Sequence, residues 1–162
     1  MNLRSYCSNL VRNAQTNFYY AFLFLPKLKR EAIFATYAFS RYTDDLVDKA
    51  DSAESAIYNL QFWRNELHSC YGGHPTHPII LNLQKTLTHF SIPKAYFLIL
   101  IDGVEMDLKK KRYETFEELY TYCYRVASSI GLICIEIFGY KNPSTQNYAI
   151  NLGIALQLTN IL

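Results

Sequence analysis

Arg41-Tyr42-Thr43-Asp44-Asp45-Leu46-Val47-Asp48 sets Asp44 and Asp48 four residues apart, the spacing at which two carboxylates project from one face of a helix, a turn apart. Tyr37 and Arg41 precede them, and at about 100° per residue positions 37, 41, 44 and 48 fall within a stripe roughly 60° wide. A tyrosine, an arginine and two carboxylates thus share one narrow face. Like charges at that spacing repel and weaken an isolated helix by about a few tenths of a kcal/mol, so the pair calls for a compensating cation. Mg²⁺ is the natural candidate, because it takes oxygen ligands and is commonly held by one or two carboxylates plus substrate phosphates. The helical spacing and the missing loop glycine exclude an EF-hand. A plainer reading stays open: a solvated acidic helix end in which Arg41 pairs with Asp44 or Asp45.

Outward from that stretch, apolar residues recur at helical rather than alternating spacing and chain breakers fall between such runs, which predicts an all-α bundle with no sheet. The expected helices cover 3–13, a short buried segment 18–25 stopped by Pro26, 28–48, and a stretch from Asp51 or Ser52 to the Tyr71-Gly72-Gly73-His74-Pro75 loop. Pro78 and Pro93 suit first turns, giving helix starts near His77 and Ser91. Thr115 with Glu118 forms a capping box for a helix over 116–138 that closes at Gly139. A last helix begins near Thr145, and its apolar stretch 149–162 carries no stop signal, which predicts truncation from a longer helix.

The 162 residues suit one domain, and 50% hydrophobic with 19% charged residues is the balance of an ordinary globular protein. The longest apolar run, 95–101, is too short to span a bilayer as a helix, and no secretory signal is apparent, so the expected compartment is cytoplasmic. Cys7, Cys70, Cys123 and Cys134 form no CxxC pair, which fits reduced thiols. Cys70, His74 and His77 are the sole zinc-like alternative, set against a solvated turn. A net charge of +2 gives no argument for nucleic acid. The run Lys109-Lys110-Lys111-Arg112 reads as a solvated helix end favoured by the macrodipole or as a peripheral membrane contact.

Three ordered blocks carry a resemblance. Asn17-Phe18-Tyr19-Tyr20-Ala21-Phe22, Leu25-Pro26, Lys29-Arg30 and Tyr37-Ala38-Phe39-Ser40-Arg41-Tyr42-Thr43-Asp44-Asp45-Leu46-Val47-Asp48 form the first. Asp102-Gly103-Val104-Glu105-Met106-Asp107-Leu108, Leu119-Tyr120-Thr121-Tyr122-Cys123-Tyr124-Arg125-Val126-Ala127 and Gly131 form the second. Gly153-Ile154-Ala155-Leu156-Gln157-Leu158-Thr159-Asn160-Ile161-Leu162 is the third. Together they resemble the N-terminal part of squalene/phytoene synthases, over essentially all of 1–162. The implied fold is the isoprenoid synthase-type helical bundle, incomplete at its C-terminus.

By that resemblance Asp44 and Asp48 hold Mg²⁺ bridging to diphosphate, and Arg41 binds the diphosphate. Tyr37, Tyr122, Gln157 and Asn160 match cavity-lining positions, and Tyr122 is a candidate catalytic residue. Asn17, Phe18 and Phe22 are further substrate-binding candidates, the rings of Phe18 and Phe22 offering π faces to a cation and excluding water. Asp107 matches an acidic position without an assigned role. The family's second aspartate motif would follow residue 162, so these residues alone are expected to be inactive.

Ala14-Gln15-Thr16-Asn17 departs from the His-Ser-Lys-Ser-like segment of carotenoid-type members. The form from Thr16 to Phe22 is similar to bacterial presqualene diphosphate synthases of hopanoid synthesis, which implies condensation of two farnesyl diphosphates to presqualene diphosphate. The alternatives are a phytoene-type condensation of geranylgeranyl diphosphate and a non-catalytic helical scaffold of the same fold.

Overall fold

Pro26 lies at the start of the longest helix. In the computed structural model, which describes residues 17–110 and 112–161 and side chains from Tyr20 onward, α1 (Asn17–Leu23) ends in a turn before α2 (Lys27–Asp48). Pro26 sits at the cap with φ −51°, where its missing N–H leaves no intrahelical bond unmade. The helix expected over 3–13 lies outside the described residues. Ser52 caps α3 (Ala53–Gly72) by accepting from Ser55 N at 3.1 Å, and Gly73, at φ 97°, ends it in the left-handed conformation. His77 Nδ1 accepts from Ile79 N (3.3 Å) to cap α4 (Pro78–Leu87), and α5 (Lys94–Lys109) follows Pro93.

The expected helix 116–138 is present but is not regular. Thr115 caps α6 (Phe116–Cys123), and Glu118 reaches back to Glu114 N (3.0 Å), one residue before the expected box partner. A π-helical turn, Tyr124–Ser128, then separates α6 from α7 (Ser129–Phe138). The span Phe116–Phe138 has the length and apolarity to cross a bilayer, although its π turn packs against α5 and α8 (Thr145–Ile161). No strand occurs among the described residues.

α2 is the central element, packing on α3, α4, α5 and α7. Its Phe39 stacks on Trp63 at 5.1 Å between centroids and meets Phe97 edge-on at 5.0 Å. Around them Ile33, Leu60, Leu67, Ile80, Leu83, Leu100, Ile101 and Ile133 are buried, each contributing roughly 1.5–3 kcal/mol of transfer free energy. Two polar devices orient this core. Trp63 Nε1 donates to the buried Thr43 Oγ1 (2.8 Å), which itself donates to Phe39 O (2.8 Å). Glu66 accepts from Thr76 Oγ1 (2.6 Å), Thr76 N (2.9 Å) and His77 N (2.8 Å), pinning the α3–α4 loop. Burial pushes the Glu66 carboxyl up, but those hydrogen bonds win and leave it below its ordinary value.

Two glycines let the π turn pack closely. A Cβ on Gly103 of α5 would stand 2.7 Å from Arg125 Cβ and 2.8 Å from Val126 Cγ1. On Gly153 of α8 it would stand 2.6 Å from Ser128 Cα and 2.7 Å from Ser128 N. Ser128 Oγ donates to Ile150 O (2.7 Å), tying the turn to α8.

Candidate active site

A cavity of about 330 Å³ opens where α2, α5, α6 and α8 meet. α2 lines it with Ser40, Arg41, Asp44 and Asp48, α5 with Val104 and Asp107, α6 with Tyr122, the π turn with Val126, and α8 with Gln157. The Thr43–Trp63 bond fixes the rotation of α2. At about 100° per residue, a buried Thr43 turns Asp44 and Asp48 away from Trp63 and toward the cavity.

Arg41 makes its ion pair with Asp45 (3.0 Å), which also accepts from Lys49 Nζ at 2.8 Å. Among the described residues Asp44 and Asp48 have no ion-pair partner. Burial pushes the Asp44 carboxyl up to about 7; Arg41 opposes this, and the negative charges of Asp48, Asp107 and Asp45 add to it. Asp107 is also raised by burial, with the hydrogen bond from Tyr122 opposing and Asp48 adding. Tyr122 Oη donates to Asp107 Oδ2 at 3.3 Å, and burial followed by the charge of Asp107 raises that phenol. Tyr113 packs on Tyr122 at 5.2 Å; its hydroxyl is buried with no hydrogen-bond partner among the described residues.

Mg²⁺ fits this donor set. The carboxylates are oxygen ligands, the charge of Asp48 adds to the raised proton affinity of Asp44 and Asp107, and burial makes the charge of those two costly unless a cation offsets it. Among the described residues no group of three or more His, Cys, Asp or Glu forms a complete metal site. Asp44 and Asp48 would therefore supply part of the ion's coordination shell, with further oxygens coming from water or a bound ligand. The same finding removes the zinc alternative. Cys70 Sγ is turned to Ile80 O (3.7 Å), and His77 caps α4 and lies edge-on to Trp63 at 4.9 Å. The three described cysteines are free.

Of the residues singled out in the sequence, Arg41, Asp44, Asp48, Tyr122 and Gln157 meet at the cavity. Tyr37 does not line it: on α2 the cavity begins at Ser40 and Arg41. Phe22 instead packs edge-on against Phe34 at 6.4 Å. Asn160 is exposed and donates to Gln157 Oε1 at 3.5 Å. The side chains of Asn17 and Phe18 lie outside the described residues. Sequence reasoning missed Ser40, Val104 and Val126 and left Asp107 without a role. The steps of four at 40, 44 and 48 and of three at 104 and 107 were available as signals. Nothing in the sequence placed Val126.

Comparison with known proteins bears on the family and the fold. Residues 11–162 match the squalene/phytoene synthase family. The chain is 37% identical to a phytoene synthase of Arthrospira platensis, over 96% of this chain and 55% of that protein. It is 39% identical to the phytoene synthase of Mycobacterium tuberculosis, over 95% of this chain and 50% of that protein. Among solved structures, a dehydrosqualene synthase superposes with a TM-score of 0.88 at 32% identity, covering 98% of this chain and 55% of that one. Squalene synthase HpnC from Alicyclobacillus acidocaldarius also gives 0.88, at 30% identity, covering 98% and 59%. The chain spans about half the length of the curated relatives it matches. It belongs to the squalene/phytoene synthase family, with the all-α isoprenoid synthase-type fold.

Proposed function

We propose that this chain supplies one carboxylate pair and one wall of the active site of a Mg²⁺-dependent enzyme that condenses two prenyl diphosphates head to head, with farnesyl diphosphate as substrate and presqualene diphosphate as product. The observation that carries this reading is the convergence of Asp44, Asp48, Asp107, Arg41, Tyr122 and Gln157 on one cavity. Bound Mg²⁺ would neutralise the departing diphosphate and so favour its release. Asp44 and Asp48 would hold it, and Arg41, steadied by Asp45, would place a guanidinium against the diphosphate. Tyr122, held by Asp107, presents its hydroxyl and ring to the reacting carbons. Val104 and Val126 keep that side of the cavity apolar, which limits capture of a carbocation by water.

The Thr16–Phe22 form supports farnesyl diphosphate. The names of the relatives, phytoene synthases among them, favour a second reading, condensation of geranylgeranyl diphosphate. Incubating the full-length protein with each labelled diphosphate and Mg²⁺, then identifying products, separates the two. Presqualene diphosphate from farnesyl diphosphate is the expected outcome. A C40 product transfers the chain to the phytoene-type reading, and no product from either leaves a non-catalytic helical protein. Residues 1–162 alone should give no product in the same assay, since the proposed metal site takes its second acidic motif from elsewhere.

A further inference from the structure

Tyr113 sits in the connection between α5 and α6 and is not part of the cavity lining. It packs on Tyr122 with ring centroids 5.2 Å apart and planes inclined at 32°, within the range of stabilising aromatic pairs. Tyr122 needs that support. Its hydroxyl reaches Asp107 at 3.3 Å, beyond the usual length of an O–H···O bond, so the bond alone does not fix the phenol.

The connection holds Tyr113 from both sides. Lys110 Nζ stands 5.8 Å from the centre of its ring, within reach of a cation–π contact. The same ammonium pairs with Glu118 Oε1 at 2.6 Å, and Glu118 Oε2 accepts from Glu114 N at 3.0 Å. One carboxylate on α6 thus ties the chain before and after Tyr113. The Tyr113 hydroxyl takes no part, since it is buried with no hydrogen-bond partner among the described residues. A buried hydroxyl without a partner costs stability, so it is the ring that keeps Tyr113 in place. We propose that Tyr113 is a positioning residue: its ring, clamped through Lys110 and Glu118, sets where the Tyr122 hydroxyl stands against Asp107. The consequence for turnover rests on the proposed catalytic reading of Tyr122; the consequence for the Tyr122–Asp107 bond does not.

Full-length protein carrying Tyr113→Leu, Tyr113→Phe, Tyr122→Phe, or Tyr113→Leu together with Tyr122→Phe, tests it. With isotope-labelled tyrosine, nuclear magnetic resonance of the metal-free protein reads the hydrogen bond of Tyr122 at its Cζ. In Tyr113→Leu that resonance should move toward its position in Asp107→Ala. Tyr113→Phe should leave it in place and melt no lower than the wild type, having lost only an unpartnered hydroxyl. In turnover of prenyl diphosphates with Mg²⁺, Tyr113→Leu should lower kcat at least about tenfold and leave KM within about twofold. In the Tyr122→Phe background the same substitution should change kcat by less than about twofold, because its route to the reaction is gone. If Tyr113→Leu does not fold, Tyr113→Met, which fills the volume without a planar ring, takes its place. A Tyr122 resonance that stays put when the ring is lost overturns the proposal. So do equal losses in Tyr113→Phe and Tyr113→Leu, which would assign the effect to the hydroxyl. Losses that multiply in the double variant overturn it too, since they would act by a route other than Tyr122. A wild type that gives no product removes the catalytic reading and leaves the resonance to decide the inference.

Discussion

Asp44→Asn is expected to make the metal-free protein more stable at pH 8 while removing half of its proposed metal-binding pair. The Asp44 carboxyl is raised from 3.8 to about 7, and one pKa unit corresponds to about 1.4 kcal/mol. The limiting penalty for carrying this charge in the folded state is thus about 4 kcal/mol, and residual solvent contact reduces it to about 2–3 kcal/mol. Below about pH 4 both states are protonated and the site contributes nothing to the pH dependence. Between about 4 and 7 the folded state keeps a proton that the unfolded state has lost, so stability falls as pH rises through that window. Above it the penalty is complete. Urea unfolding of both proteins at pH 4.5, 6 and 8 in chelator should give curves that differ by about 1 kcal/mol at the lowest pH and separate by about 2–3 kcal/mol at the highest, the variant being the more stable. Repeating the pH 8 measurement with millimolar Mg²⁺ should stabilise the wild type and leave the variant unmoved. A variant less stable than wild type at pH 8, or a difference that does not change with pH, refutes the reasoning.

Three further outcomes follow from the packing and the site. Gly153→Ala should cost at least about 2 kcal/mol, because its Cβ would meet the Ser128 backbone at 2.6 Å. Gly72→Ala, with nothing within 4 Å, should be neutral or mildly stabilising; equal unfolding midpoints for the two variants would remove the close-packing argument. Glu66→Gln should cost about 2–3 kcal/mol at pH 7. Since the Glu66 carboxyl is lowered in the folded state, its contribution is present above the unfolded value and is lost as pH falls through the folded one, so the difference from wild type should shrink below about pH 4. Tyr122→Phe loses the bond to Asp107 and should shift stability by less than about 1.5 kcal/mol while lowering turnover of the full-length enzyme by at least about tenfold. An unchanged rate takes Tyr122 out of the chemistry.

Where the sequence carried its own physics, reading it worked. Pro26, Ser52, Gly73, His77 with Pro78, and Thr115 each punctuate the chain by a local mechanism that needs no tertiary context, and the helices begin or end within a few residues of them. Asp44 and Asp48 were legible for the same reason, since the step of four is a property of the helix alone. Rotation about the helix axis was not. A stripe from 37 to 48 is roughly 60° wide, and the cavity takes Arg41, Asp44 and Asp48 from it together with Ser40 beside it; Thr43 and its bond to Trp63, twenty residues away, fix which way that stripe faces. Asn160 shows the same limit, since placing it on the helix of Gln157 does not say which of the two faces the cavity.

The π turn is the feature that local pattern could not show, and it explains how one helix serves both a polar cavity and a dry core. In an unbroken α-helix, positions 122, 126, 129 and 133 form a single stripe. Here Tyr122 and Val126 line the cavity, whereas Ser129 and Ile133 are fully buried. The extra residue accommodated by the π turn changes the phase between the two pairs by roughly 100°, so that Tyr122 can reach Asp107 while Ile133 stays in the core beside Ile101. Such a turn has poorer intrinsic hydrogen bonding than the helix around it and persists only when its surroundings hold it. Gly103 and Gly153 do so by bringing the backbones of α5 and α8 within reach of Arg125 and Ser128. Those two helices also carry Asp107 and Gln157 into the cavity. The contacts that stabilise the turn therefore set the positions of the cavity side chains, and a methyl group added at either glycine disturbs packing and cavity together.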